Sequence, residues 1–193
     1  MTTSRVEAFS DGVIAVIITI MVLELRVPLG SSVSALRPIV PSLLMYLLSF
    51  VTIAIVWNNH HHLLYATKHI SGGIMWANMH LLFWLSLIPF ATSWLGENHG
   101  GAWPTALYSL VFLLTGMAYT ILERSIIANK YNDSVVIKAL RNDYKSMLSV
   151  IAYVLAVVFA FILPIVSYVL VAGVALAWFI PDRRIESKIK ELS

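Results

Sequence analysis

Cysteine is absent from the 193 residues, and charge is scarce, with Asp, Glu, Lys and Arg together making up 12%. The first absence excludes disulfides, thiolate metal sites and cysteine nucleophiles. The second excludes most soluble architectures, which carry about 25% charged residues. Here 59% of residues are hydrophobic and the mean hydropathy is +0.83, so the chain reads as an integral membrane protein with little room for a soluble domain. Also missing are a TVGYG-type carbonyl filter, an arginine-repeat voltage sensor, a nucleotide-binding glycine loop and a GxSxG elbow. The formal charge of +3 is no nucleic-acid signature, because the basic residues sit in loops and near the end of the chain. No basic n-region precedes an apolar core and a small-residue cleavage site, and Arg5 and Asp11 interrupt that pattern, so no cleaved signal peptide is expected.

What is present is a series of six hydrophobic segments, at about 8–25, 40–62, 74–95, 106–127, 147–163 and 165–180. The expected fold is therefore all-α, a single domain of six transmembrane helices over 1–193, with residues 181–193 as a short tail. Pro28 and Gly30 end the first segment, Gly72-Gly73 precede the third, and Pro164 joins the last two. A polar stretch, 129–146, separates the fourth from the fifth and reads as solvated. Lys and Arg number eleven on one side of these spans (Arg5, Lys68, five from Arg124 to Lys145, four in the tail) and two on the other, Arg26 and Arg37. An excess of positive charge marks the cytoplasmic side, which puts both termini there and agrees with an even number of spans. No residue-level internal repeat suggests inverted transporter halves.

The first segment is odd. Its uncharged core, Val13 to Leu23, has 11 residues and covers about 16 Å, roughly half of a hydrocarbon core. Asp11 and Glu24 then lie near or inside the membrane boundary, where ionisable groups face protein or water. Arg5, Phe9, Gly12, Val16, Thr19, Leu23 and Arg26 recur every 3.5 residues on average, a spacing that keeps one face toward a partner, with Ile20 beside it. Ordinary helix packing and the lining of a pore both fit that seam. Ser10 and Asp11 leave it and point toward other helices of the same chain, where Arg5, His60, Asn78 and His80 are on offer as partners. They serve either as helix caps or as part of a buried polar network.

The run Trp57-Asn58-Asn59-His60-His61-His62 invites a metal reading. Successive helical residues point about 100° apart, so three adjacent histidines cannot ligate one ion, and no HxxH or HxxxH pair accompanies them. No metal site is expected. In the third segment Asn78 is a hydrogen-bonding group inside an apolar span, and Pro89 predicts a kink.

Arg5-x-x-x-Phe9-Ser10-Asp11 reads RxxxFSD, and in its context it resembles the lysosomal/endosomal transmembrane potassium channel family, most closely the prokaryotic branch with one six-helix unit per subunit. Tyr46-x-x-Ser49-Phe50 followed by Trp57-x-x-His60-His61 is similar to that family's second helix, and Trp76-x-Asn78 with Pro89-Phe90-x-Thr92 to its third. The last three segments match only in length and hydrophobicity. The resemblance implies a homotetramer in the lipid bilayer of a prokaryotic cell, with the first helices lining a potassium path, no enzyme activity, no cofactor and no nucleic-acid partner. It places a hydrophobic constriction at Val16, where the family often has a bulkier Leu or Ile, a hydroxyl layer at Thr19, and further apolar layers at Ile20 and Leu23. It also implies a supporting polar network of Arg5, Ser10, Asp11, Trp57, His60, Trp76 and Asn78. An apolar ring favours potassium over sodium modestly, through its lower dehydration cost. The competing expectation is a proton-coupled secondary transporter or a proton-conducting channel, using Asp11, Glu24 and the histidines as a relay.

Overall fold

The long apolar segments fold as helices, and every regular element among the described residues is a helix. The structure, a computed structural model, describes residues 2–65, 67, 69–128 and 144–179. Helix α1 is Thr3–Leu23, α2 Val40–Tyr65, α3 Gly72–Ser86, α4 Ile88–Glu97 and α5 Ala102–Ile127. Two shorter apolar helices follow, α6 Tyr144–Phe159 and α7 Pro164–Phe179. Four units are long and apolar enough to cross a membrane, α3 and α4 together counting as one, and the shorter α6 and α7 complete a bundle of six. Between α1 and α2, where a turn is expected, Val33–Ile39 winds into a 3-10 helix. Most of the expected polar stretch and the expected tail lie outside the described residues.

Local chemistry accounts for the punctuation. Ser71 caps α3, its hydroxyl accepting from the Ile74 backbone N–H at 3.3 Å, the role Ser commonly takes at this position. The third span breaks at Leu87 because Pro89, in the first turn of α4, brings no N–H and its ring obstructs the carbonyl four residues back. The ladder resumes where Ala91 N–H reaches Leu87 O at 3.1 Å. At the α4–α5 turn Gly100 adopts φ +82°, a conformation that glycine reaches without the Cβ penalty. Pro104 then falls in the first turn of α5, a position where its missing N–H costs nothing.

The packing is asymmetric. Helix α5 sits centrally, against α3, α4, α6 and α7, whereas α1 lies at one edge and packs chiefly on α2, α3 and α4. Leu81, Leu85, Leu95, Tyr108, Phe112 and Leu122 form the fully buried centre. In lipid such packing is held by close contact and interhelical hydrogen bonds rather than by apolar burial, since acyl chains are as apolar as Leu. Ser49 of α2 supplies two such bonds, to Thr92 Oγ1 at 2.8 Å and to the Tyr108 hydroxyl at 3.0 Å. Ser167 ties α7 to α6 by donating to Ala156 O at 2.6 Å.

Candidate functional site

Helix α1 has two faces with opposite fates. Val6, Ser10, Ile14, Ile17 and Met21 are buried against α2, α3 and α4. On the other side Phe9, Val16, Ile20 and Leu23 are 51%, 55%, 42% and 80% exposed, and Gly12 and Thr19 are exposed among them. The seam read from the sequence is therefore the face that the single chain leaves uncovered. An open groove of about 750 Å³ follows it, between Phe9, Val16 and Ile20 on one wall and Ser86, Pro89 and Phe90 at the α3–α4 break on the other. The Thr19 hydroxyl donates to Val16 O at 2.8 Å, the back-bond that helical threonine favours. With its proton committed, the oxygen offers only lone pairs to the uncovered face.

The buried face is fastened by polar contacts at both ends. Near the N-terminus of α1, Ser10 donates to Val6 O at 2.8 Å and accepts from Asn78 Nδ2 at 2.9 Å. Asn78 Oδ1 lies 2.7 Å from His60 Nε2. A carbonyl oxygen can only accept, so His60 carries its proton on Nε2, and its Nδ1 is buried without a partner. Ser10, His60 and Asn78 are all at most 1% exposed, and each bond in such a relay is worth roughly 1 kcal/mol within a membrane. Beside it, Trp57 Nε1 donates to Asp11 Oδ1 at 2.8 Å, and His61 pairs with Glu7 at 2.7 Å. At the opposite end of α1, Ser93 donates to Glu24 at 3.2 Å and Arg26 pairs with Glu97 at 2.7 Å.

The structure brings Ser10, His60 and Asn78 together, and Asp11 with Trp57. Arg5 and Trp76 stand apart: both are exposed and neither makes a side-chain hydrogen bond or ion pair within the described chain. The capping alternative fails, because α1 begins at Thr3 and Ser10 and Asp11 sit about two turns inside it. Asp11 is hydrogen-bonded to Trp57, a member of the network that the family resemblance implies, and not to Arg5, His60, Asn78 or His80, and His80 instead accepts from Trp84 within α3 at 2.9 Å. The Glu7–His61 pair and the Ser49–Thr92–Tyr108 cluster were not anticipated; the available signal was a set of polar side chains within otherwise apolar helices. No group of three or more His, Asp or Glu suited to a metal occurs among the described residues.

Comparison with known proteins gives this geometry its context. The family model described as endosomal/lysosomal potassium channel TMEM175 matches residues 5–89, which is α1 to the start of α4. A protein named a potassium channel from Chryseobacterium sp. (strain P1-3) is 49% identical over 191 residues, covering 99% of this chain and 100% of that one. The solved structure of a lysosomal potassium-selective channel TMEM175 homolog from Chamaesiphon minutus superposes with a TM-score of 0.73 at 29% identity, over 91% of this chain and 97% of that one. The Homo sapiens protein named endosomal/lysosomal proton channel TMEM175 is 32% identical over 103 residues, 47% of this chain and 20% of its own length. An all-helical membrane bundle with these relatives is an ion channel, not an enzyme. Specifically, the chain belongs to the TMEM175 channel family.

Proposed function

We propose that four copies of this chain assemble around an axis lined by their α1 helices and conduct potassium with a modest preference over sodium. The observation that carries the reading is the uncovered apolar strip of α1, exposed at Phe9, Val16, Ile20 and Leu23 while Ile14, Ile17 and Met21 opposite are buried. In the tetramer Val16 forms the constriction, Thr19 a layer of oxygen lone pairs, and Ile20 and Leu23 apolar layers beyond it. An apolar ring passes the ion that sheds water more cheaply and closes by dewetting, so potassium is favoured without a carbonyl cage. Ser10, Asp11, Trp57, His60 and Asn78 hold α1 in register, with Arg5 and Trp76 completing the support at the subunit boundary. The names of the bacterial relatives, potassium channels, support the choice of ion. The membrane is that of a prokaryotic cell, with both termini cytoplasmic, as the distribution of Lys and Arg supports.

Proton conduction is the second reading, favoured by the name that the vertebrate relatives carry. Ion flux from liposomes holding the purified protein, under separate potassium, sodium and proton gradients, tests both. Potassium flux should exceed sodium flux, and Thr19→Ala or Val16→Ala should change the ratio. Equal potassium and sodium currents would refute the proposed selectivity, and flux driven by protons alone would establish the second reading. A monomeric mass in detergent would remove the fourfold pore.

A further inference from the structure

Among the described residues, one charged side chain lines the groove along α1, and it is Glu24. It stands at the end of α1 away from Arg5, one turn beyond Ile20, and its backbone N–H closes the helix on Ile20 O at 3.2 Å. An acid is electrostatically misplaced there, because the unpaired carbonyls at a helix C-terminus already carry partial negative charge. The last turn of α1 holds no base to offset it. A break with local preference in an otherwise consistent element is the mark of a functional position.

The neighbouring groups leave that charge in place. Ser93 of α4 donates to Glu24 Oε2 at 3.2 Å, which positions the carboxylate without neutralising it. Arg26, the nearest base in the chain, is taken by Glu97 at 2.7 Å. Arg37, the other base on this side, is not part of the groove wall. Glu24 has no ion pair with any described residue, and it is exposed. A fixed, unneutralised carboxylate therefore caps a path whose remaining wall is apolar or hydroxylated.

We infer that Glu24 sets the rate of conduction: its copies form a ring of carboxylates at the outer mouth and gather monovalent cations before these shed water at Val16. The inference rests on the fourfold pore proposed above and adds a separate job to it. Apolar layers choose between ions, whereas an acidic ring raises the number that arrive. Helices packed about 8–10 Å apart around a fourfold axis put each Glu24 carboxylate roughly 10 Å from an ion on that axis. Four such charges in water concentrate cations about sevenfold at 0.01 M salt. At 1 M the gain is only about 1.1-fold, because the Debye length shrinks from about 30 Å to about 3 Å.

The test is the single-channel potassium conductance of the full chain in planar bilayers, at 0.01 M and at 1 M KCl. Glu24→Gln keeps an oxygen for Ser93 and loses the charge. Its conductance should fall about three- to sevenfold at 0.01 M and match the unsubstituted chain at 1 M, and Glu24→Asp should keep the conductance at both. The chain has no cysteine of its own, so Glu24→Cys offers one thiol per copy to methanethiosulfonate reagents. At 0.01 M an anionic sulfonate label should raise the conductance of that variant and a cationic trimethylammonium label should lower it. Both effects are read on channels already assembled, so a folding defect in Glu24→Gln does not decide the result. A conductance indifferent to the sign of the label, or a Glu24→Gln loss equal at both salt concentrations, would overturn the inference and leave the potassium pore standing. Absence of potassium current from the unsubstituted chain would refute the pore itself, and the ring with it.

Discussion

Replacing Asn78 by Ala tests whether the buried relay, rather than apolar contact alone, holds α1 to the bundle. Asn78 spends its amide on two helices, donating to Ser10 at 2.9 Å and accepting from His60 at 2.7 Å. Truncation removes both bonds, each worth about 0.6 kcal/mol on average within membranes and up to about 1.7. The losses are unequal. Ser10 keeps its bond to Val6 O, whereas His60, with Nδ1 already unpartnered, loses its last partner in a site with no access to water. An orphaned buried N–H adds about 1–3 kcal/mol, so the expected cost is about 2–4 kcal/mol. Ser10→Ala removes one interhelical bond, to Asn78, along with the back-bond to Val6 O, and should cost about 1 kcal/mol. Unfolding by SDS titration in mixed micelles measures both, and a double-mutant cycle with His60→Leu isolates the shared bond. The cycle should show at least about 1 kcal/mol of coupling. Additivity within about 0.3–0.5 kcal/mol, the behaviour of independent sites, would refute the relay.

Three further outcomes follow from the same geometry. Val16→Leu should lower potassium flux in liposomes and Val16→Ala raise it, whereas Leu176→Ala on the exposed face of α7 should leave flux unchanged; an equal effect of all three would remove Val16 from the path. Gly96→Ala should destabilise the protein by about 1–3 kcal/mol, as overpacking does, because its Cβ would stand 3.0 Å from the Ser42 backbone of α2; an unchanged thermal midpoint would contradict that close approach. Arg26→Gln should cost under about 1 kcal/mol, because its ion pair with Glu97 has side chains 76% and 40% exposed and such pairs are screened by solvent; a larger loss in the same titration would show that the pair is shielded from water.

The segments and the uncovered face of α1 were legible because each depends on local periodicity. Val16 and Leu23 are seven residues apart, and no tertiary knowledge is needed to see that they share a side. Pro89 announced the break at Leu87 for an equally local reason. Partners were less legible. Asp11 meets Trp57, which the family resemblance but not the helix spacing puts beside it, instead of Arg5, His60, Asn78 or His80, because the rotation of α2 about its own axis decides which side chain faces α1. Nothing in the spacing of either helix fixes that rotation. The same holds for Glu7 with His61, and for Ser49, which reaches α4 and α5 together. The start of α1 at Thr3 was obscured by its polar first turns, which are helical although they are not apolar.

The relay also bears on how the protein is made. Ser10 is joined to a residue 68 positions later in the chain, and Asp11 to one 46 positions later. At a synthesis rate of about 5–20 residues per second, the Asn78 amide emerges roughly 3–14 s after Ser10. For all of that interval Ser10 lacks Asn78, and for the first 46 residues of it Asp11 lacks the Trp57 that receives its carboxylate. We expect the first helix to wait at the translocon or the membrane surface until the third has been made. The element synthesised first would then be among the last to settle, and a pause engineered between α2 and α3 should raise the fraction of chains degraded before they assemble.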